Sequence, residues 1–375
     1  MPIVESEFSP RPMLRNHHAQ TVLASQVLRP PAVPVVRERL ELDDGDFVDL
    51  AHGLPNGARE ARTSSPAPPL VVLFHGLSGS IESSYARGAM AALDARGFAT
   101  CLMHWRGCSG EPNRLARSYH SGASDDIGRL VETLHERHPT RPLYALGYSL
   151  GANALLKYLG ERGESTPLTA ALAVGPPLVL AVGAARLDRG GLSSLYRRHL
   201  LGRLRAQHEA KRARYPALEL PPAHRALDTF RAFDDALTAP LHGFAGVDDY
   251  YTRCSARRYL GRIRRPTHIL CARDDPFFTE EILPEASELA PGTTLELARH
   301  GGHIGFVAAA EGGTSARFGT ARWLDTHVAT TLLGLHRGGA ASDMRWTAAG
   351  LAGGDSESEA SDTDRRRGAV GGKAF

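Results

Sequence analysis

The sequence predicts an open α/β fold, with a mostly parallel sheet, helices on both faces and a helical insertion over one end. Three observations carry this expectation. Short apolar runs recur along the chain, amphipathic helical stretches lie between several of them, and the alternation breaks once, where a long helical pattern replaces the next expected strand. A chain of 375 residues, 42% hydrophobic and 23% charged, has the material for a large buried core.

Taken in order, "VVRERLEL" and "DFVDLAHG" flank the turn-forming Asp43, Asp44 and Gly45, and are expected to open the sheet as an antiparallel pair. The runs at 70–74 (LVVLF), 100–103 (TCLM), 143–146 (LYAL), 168–174 (LTAALAV) and 267–271 (THILC) read as strands buried on both faces, as parallel strands are. Helical periodicity marks 124–138 (SDDIGRLVETLHERH) and 151–162 (GANALLKYLGER). The 21 uncharged residues from Ser165 to Ala185 are long enough to raise a membrane span, but Gly175, Pro176 and Pro177 interrupt them, so a strand and a turn fit better. The expected organisation is one domain over 1–336, with a core at 1–177 and 247–336 and a lid insertion at 178–246. A low-complexity tail over 337–375, rich in Gly, Ala and Ser, is expected to be disordered.

Composition narrows the function. A net charge of +3 and a pI of 8.7 are too slight to imply nucleic acid as partner. Cys101, Cys108, Cys254 and Cys271 form no CxxC pair and no metal-like spacing with histidine, and read as reduced, buried thiols. The opening "MPIVESEFSPRPMLRNHH" lacks the pattern of a secretory signal, and a cytoplasmic location is expected.

Ligands of open parallel sheets gather at the carboxyl ends of strands, so the residues just after each apolar run are the ones to weigh. After "LYAL" comes Gly147-Tyr148-Ser149-Leu150-Gly151, a G-x-S-x-G pattern leading into a helix. This spacing makes a tight strand-to-helix turn that lifts the serine hydroxyl clear of the sheet, with the glycines permitting the close approach. A serine hydroxyl needs a base. Among 17 histidines, His303 in "LELARHGGHIGF" is the candidate, with His300 in reserve, because a glycine-rich loop after the strand expected at Thr294 to Leu297 lets the ring reach a cleft. The apolar residues after His303 are expected to start a helix. "ARDDPFF" supplies the carboxylate that would orient the base, giving the chain order Ser, Asp, His of the α/β-hydrolase fold. Successive residues leaving a strand point in opposite directions, so only one of Asp274 and Asp275 can face the histidine. Asp275, three residues after Ala272, is assigned; Asp274 is expected to cap the turn or pair with an arginine. "FHGLSGS" would place the amide of Leu77 beside that of Leu150 as an oxyanion hole. A phosphate-cradling loop is disfavoured there, for want of a Walker lysine or a GxGxxG.

These stretches, with "MHWRGCSGEPNRLARSYHSGASDD" and "FDDALTAPLHGFAGVDDYYTRCSA", resemble the YheT-type esterases, a bacterial branch of the α/β-hydrolases related to the eukaryotic ABHD lipases. "LRNHHAQT" is similar to that family's N-terminal "NPHLQT", with His17 in place of Pro and Ala19 in place of Leu. The resemblance covers Phe8 to His327. It implies a serine hydrolase of carboxylic esters with Ser149, Asp275 and His303 as triad, no cofactor and no metal, and an ester substrate for which a lipid or medium-chain ester is a candidate.

Two basic stretches remain. In "HWRGCSGEPNR", Arg106 or Arg114 could meet an anionic substrate group, but pairing with the acids of "GASDD" is the plainer reading. From Arg186 to Arg214 there are nine Lys or Arg against two acids, with Leu192, Leu195, Tyr196, Leu200 and Leu204 at helical spacing. Such a helix either closes over the site with a solvated basic face, or makes transient contact with an anionic membrane surface. The whole reading is a serine esterase; acyl transfer or thioester hydrolysis would use the same residues, and a binding protein could keep the pocket with a silent serine.

Overall fold

The computed structural model describes residues 2–54, 67–223, 226–309 and 320–338. Beyond residue 338 the expected tail lies outside the described residues. Nine strands form one sheet: β1 (Ile3–Glu5), β2 (Val35–Glu41), β3 (Phe47–Gly53), β4 (Leu70–Phe74), β5 (Ala99–His104), β6 (Leu143–Tyr148), β7 (Ala170–Val174), β8 (Thr267–Ala272) and β9 (Thr293–Ala298). Their order is β1-β9-β8-β7-β6-β4-β5-β3-β2, and every neighbouring pair is parallel except the two that include β3. The expected opening hairpin is therefore present as β2–β3, turning at Gly45 with φ of 82°. The edge strand β1, too short to signal itself in the sequence, pairs with β9.

From β4 the chain crosses to β5 on one side, then returns to β6 on the other. The carboxyl ends of β4 and β6 consequently flank the topological switch point, where a crevice opens in such sheets. "FHG" leaves β4 and "YSLG" leaves β6, so the two motifs emerge side by side.

Alternate residues of the central strands enter two cores. Val72, Phe74, Ala145 and Ile269 pack on one face with Ile127, Leu130, Leu155 and Leu156. Those partners lie on α3 (Ser124–Arg137) and α4 (Leu150–Arg162). Val71, Leu73, Leu146 and Leu270 pack on the other face with Met90, Leu93, Val328 and Leu332, from α2 (Ser84–Ala95) and α10 (Trp323–His336). A strand covered on both sides has no polar alternation, which is why these runs are wholly apolar. A short helix, α1 (His17–Val22), precedes the sheet proper.

Between β7 and β8 lie α5 (Leu180–Asp188), α6 (Ser193–Arg214), α7 (Phe230–Phe233), α8 (Ala239–Leu241) and α9 (Val247–Cys254). Leu180, Ala239, Val247, Tyr250 and Tyr251 share one cluster, so α9 packs with the helices before it. The residues after His303 do not start a helix as expected. Val307–Ala309 form β10, paired with β11 (Thr320–Arg322). No helix among the described residues is long and apolar enough to cross a membrane.

Candidate active site

Ser149 stands between β6 and α4 with φ of 49° and ψ of −117°. Its amide donates to the carbonyl of Val174 at 2.9 Å, tying the turn to the next strand. The flanking glycines are required by space. A Cβ on Gly147 would lie 2.6 Å from the Cα of Ala152, and one on Gly151 would lie 2.3 Å from the carbonyl oxygen of Phe74. Helix and strand thus approach more closely than any side chain permits, and Ser149 is held in a backbone region disfavoured for non-glycine residues.

His303 Nε2 lies 2.9 Å from Ser149 Oγ, and His303 Nδ1 lies 2.8 Å from Asp275 Oδ2. Asp275 accepts at Nδ1, which therefore carries the proton, and this leaves Nε2 as the acceptor facing the serine hydroxyl. The other carboxylate oxygen accepts the amide of Phe277 at 2.8 Å. Phe277 stacks on the imidazole at 4.1 Å between centroids and 17° between planes, and Phe278 meets it edge-on at 5.4 Å. The three side chains named from sequence come together in one hydrogen-bonded line.

The second acid and the reserve histidine form a separate pair. Asp274 Oδ2 lies 3.3 Å from His300 Nδ1, and its Oδ1 accepts the amide of Gly302 at 2.9 Å. Among the described residues Asp274 pairs with no arginine, contrary to one expectation; the adjacent Arg273 reaches Glu5 instead.

After β4, His75 is fully buried. Its Nδ1 donates to the carbonyl of Gly76 at 2.7 Å, and its Nε2 accepts the amide of Trp105 at 3.2 Å. Burial pushes its pKa down to about 3, so it is a neutral structural ring. The amides of Gly76, Ser78 and Gly79 donate to Tyr85, Tyr119 and the carbonyl of Gly76. The amide of Leu77 between them has no protein partner among the described residues. Leu77 and Leu150 both face the cavity that holds Ser149 and His303.

That cavity has a volume of about 860 Å³. One wall is a stripe of α6 at spacings of three and four: Tyr196, Leu200, Leu204, Gln207 and Lys211. Leu200 and Leu204 pack with Leu187, Phe230, Phe233 and Phe277 as expected of an apolar inner face, whereas Leu192 and Leu195 are exposed at 56% and 55%. Lys211 departs from the solvated basic face. It is buried, and Nζ donates to the carbonyls of Leu115 and Arg117 at 3.1 and 3.0 Å and to Ser118 Oγ at 2.6 Å. Its burial lowers its pKa to about 7.

Arg106 is spoken for: its guanidinium meets Asp126 and Asp44 at 2.7 Å and Asp46 at 3.0 Å, so it braces the loop after β5. Arg114 pairs with Glu41 rather than with the "GASDD" acids. One grouping has metal-ligand chemistry: His268, Glu296 and His327, whose donor atoms lie within 4.8 Å of one another. The Glu296 carboxylate already accepts from both imidazoles, at 2.7 and 2.8 Å, and from Ser6. The four cysteines are free and buried.

The fold is that of the α/β-hydrolases, and a family model described as alpha/beta hydrolase fold matches residues 69–310. The Escherichia coli (strain K12) protein named "Putative esterase YheT" is 39% identical over 325 residues, which cover 86% of this chain and 92% of that protein. Phospholipase ABHD3 of Mus musculus is 28% identical, covering 82% and 74%, and a Saccharomyces cerevisiae monoacylglycerol lipase 29% identical, covering 65% and 56%. Among solved structures, a 2,6-dihydroxy-pseudo-oxynicotine hydrolase superposes with a TM-score of 0.50 at 17% identity, covering 85% of this chain and 71% of that one. A puromycin-hydrolyzing peptidase of Mycobacterium tuberculosis gives 0.52 at 16%, covering 81% and 40%. Both are likenesses of fold alone. The chain belongs to the YheT-like family of α/β-hydrolases.

Proposed function

We propose that the protein is a serine hydrolase of carboxylic esters, with Ser149 as nucleophile, His303 as general base and acid, and Asp275 as the orienting carboxylate. The observation that carries this reading is the unbroken line Asp275–His303–Ser149, at 2.8 and 2.9 Å, on the wall of a large cavity. Ser149 Oγ attacks the ester carbonyl as its proton passes to His303 Nε2, and the carbonyl electron pair moves onto oxygen. The amides of Leu77 and Leu150 receive that oxyanion; the first has no protein partner among the described residues, and the second opens α4, where helix amides are orphaned and the dipole is positive. The alkoxide leaves with the proton from Nε2. A water deprotonated by the same ring then cleaves the acyl-enzyme. None of these steps calls on a metal or organic cofactor.

The segment 178–246 acts as a lid, because Leu200 and Leu204 of α6 line the cavity in the same apolar cluster as Leu77. That lining suits the acyl chain of a lipid-like ester, the class of substrate named for the acylglycerol and phospholipid relatives. Exposed Leu192 and Leu195 beside Arg189 and Arg198 favour transient contact with an anionic lipid surface at the lid's start. Four buried free thiols suit a cytoplasmic setting.

A fluorophosphonate probe tests the nucleophile. Wild type should label and Ser149→Ala should not; labelling of the variant would remove Ser149 from its role. A series of p-nitrophenyl esters of increasing acyl length should then show turnover rising with chain length as the lid stripe is filled.

A further inference from the structure

The loop that carries His303 is unusual in its backbone. Gly301, Gly302, Ile304 and Phe306 all have positive φ, at 156°, 57°, 56° and 45°. A β-branched residue such as Ile304 in the left-handed region is an outlier, and conformations of this kind persist only where the surroundings over-determine them. Two hydrogen bonds inside the loop, from the amides of Gly305 and Phe306 to the carbonyl of Gly301 at 3.1 and 3.0 Å, close a turn but do not fix its direction.

Asp274 of the β8 loop holds the amide of Gly302, and further contacts come from the other end of the chain. Thr21 Oγ1 accepts the backbone amide of His303 at 2.9 Å while its own proton goes to the carbonyl of His17 at 2.8 Å, so the lone pair facing His303 is set by α1 itself. Gln20 is fully buried; its Oε1 accepts the amide of Val307 at 2.6 Å, and its Nε2 donates to the carbonyls of Val307 and Leu14 at 3.0 and 2.7 Å. The loop is thus gripped at both ends. Its glycines admit the grip: a Cβ on Gly302 would lie 2.4 Å from the carbonyl oxygen of His17, and one on Gly305 would lie 2.7 Å from that of Gln20. A second connection runs from His18 Nδ1 to Tyr196 on α6 at 3.0 Å, and from the Tyr196 ring to Phe277, which stacks on the imidazole.

We infer that the N-terminal arm around α1 belongs to the active site, with Thr21 and Gln20 as positioning residues that hold the His303 ring in reach of Ser149. This inference rests on the reading of His303 as the base. The arm lies outside residues 69–310, the segment that the family model matches. It touches no reacting atom; it sets the register of the loop that does.

The test uses the full chain. Thr21→Val keeps shape and removes the acceptor, so kcat on a p-nitrophenyl ester should fall about 10- to 100-fold with KM changed less than about threefold, because a displacement near 1 Å costs on that order. Fluorophosphonate labelling should slow in parallel, near-ultraviolet circular dichroism should remain that of wild type, and Thr21→Ser should recover kcat to within about threefold. A merely structural role would not give the loss with valine and the recovery with serine. Should Thr21→Val not fold, Thr21→Ala carries the same expectation. Wild type that fails to label would bring down the triad reading and this inference together. Wild type that labels, beside a folded Thr21→Val or Thr21→Ala that labels and turns over at the wild-type rate, would overturn this inference alone.

Discussion

The turn that presents Ser149 and the loop that presents His303 do the same task by different means. Both follow a parallel strand, and both hold a non-glycine residue at positive φ. The serine turn is fixed from within: β6, α4 and the glycines on either side of Ser149 leave the backbone no alternative, and the nearest outside tie is one hydrogen bond from the Ser149 amide to the adjacent β7. The histidine loop is fixed from outside, by Asp274 of the β8 loop and by Gln20 and Thr21 of the N-terminal arm. On the proposed reading, the nucleophile is specified by five consecutive residues, whereas the base depends on segments about 280 positions away.

The two aspartates after β8 give the largest contrast, because they serve the loop and the ring separately. Asp275→Asn leaves the geometry but offers Nδ1 a donor or the wrong tautomer, and kcat is expected to fall about 10³- to 10⁴-fold. Asp274→Asn keeps the oxygen that accepts Gly302, so kcat should stay within about threefold, while Asp274→Leu should lose about tenfold. Equal losses for the two asparagine variants in steady-state turnover would show that ring and loop are one unit.

Glycine substitutions probe the same contrast in stability. Gly151→Ala drives a methyl between the carbonyl oxygens of Phe74 and His75, at 2.3 and 2.7 Å, where backbone on both sides prevents relaxation. A loss of about 2–4 kcal/mol in urea denaturation is expected. Gly302→Ala puts a methyl 2.4 Å from the carbonyl oxygen of His17, in a six-residue helix outside the central sheet, so about 1–2 kcal/mol is expected, with labelling slowed at least tenfold. If Gly302→Ala costs as much stability as Gly151→Ala, the loop is not a peripheral, separately held unit.

What could be read from the sequence follows the same division. The parallel strands were legible because burial on both faces leaves unbroken apolar runs, and the serine turn because its constraint is local. Strand alternation allowed only one of Asp274 and Asp275 to face the histidine, and the choice of Asp275 rested on its place three residues after Ala272. Nothing local marks Gln20 and Thr21, whose partners are set only once β9 has placed the loop beside α1; the one available signal was the similarity of "LRNHHAQT" to a family element. Lys211 misled for a related reason: in a helix with seven Lys or Arg, spacing alone does not tell which one turns inward to the carbonyls of Leu115 and Arg117. The edge strand β1 and the β10–β11 pair, three residues each, are too short for periodicity to register.

Asp234 lines the same cavity but belongs to neither the serine turn nor the histidine loop, so it should separate stability from reactivity. Its oxygens accept from Thr238 at 2.6 Å and Tyr251 at 2.8 Å, and burial, opposed by those bonds, pushes its pKa up to about 6 from an ordinary 3.8. Between about pH 4 and 6 the folded chain holds this proton more tightly than the unfolded chain does. Its contribution to stability is therefore fully present at the acid end, declines as pH rises through that window, and is flat above it. Asp234→Asn removes the ionisation, so at pH 7.5 the variant should be more stable by about 1–2 kcal/mol and at pH 4.5 nearly equal to wild type. Urea denaturation at the two values measures the difference, and parallel stability profiles would show that the carboxyl is solvated rather than buried. Fluorophosphonate labelling of this variant should stay within about threefold of wild type, since neither the turn behind Ser149 nor the arm behind His303 touches it.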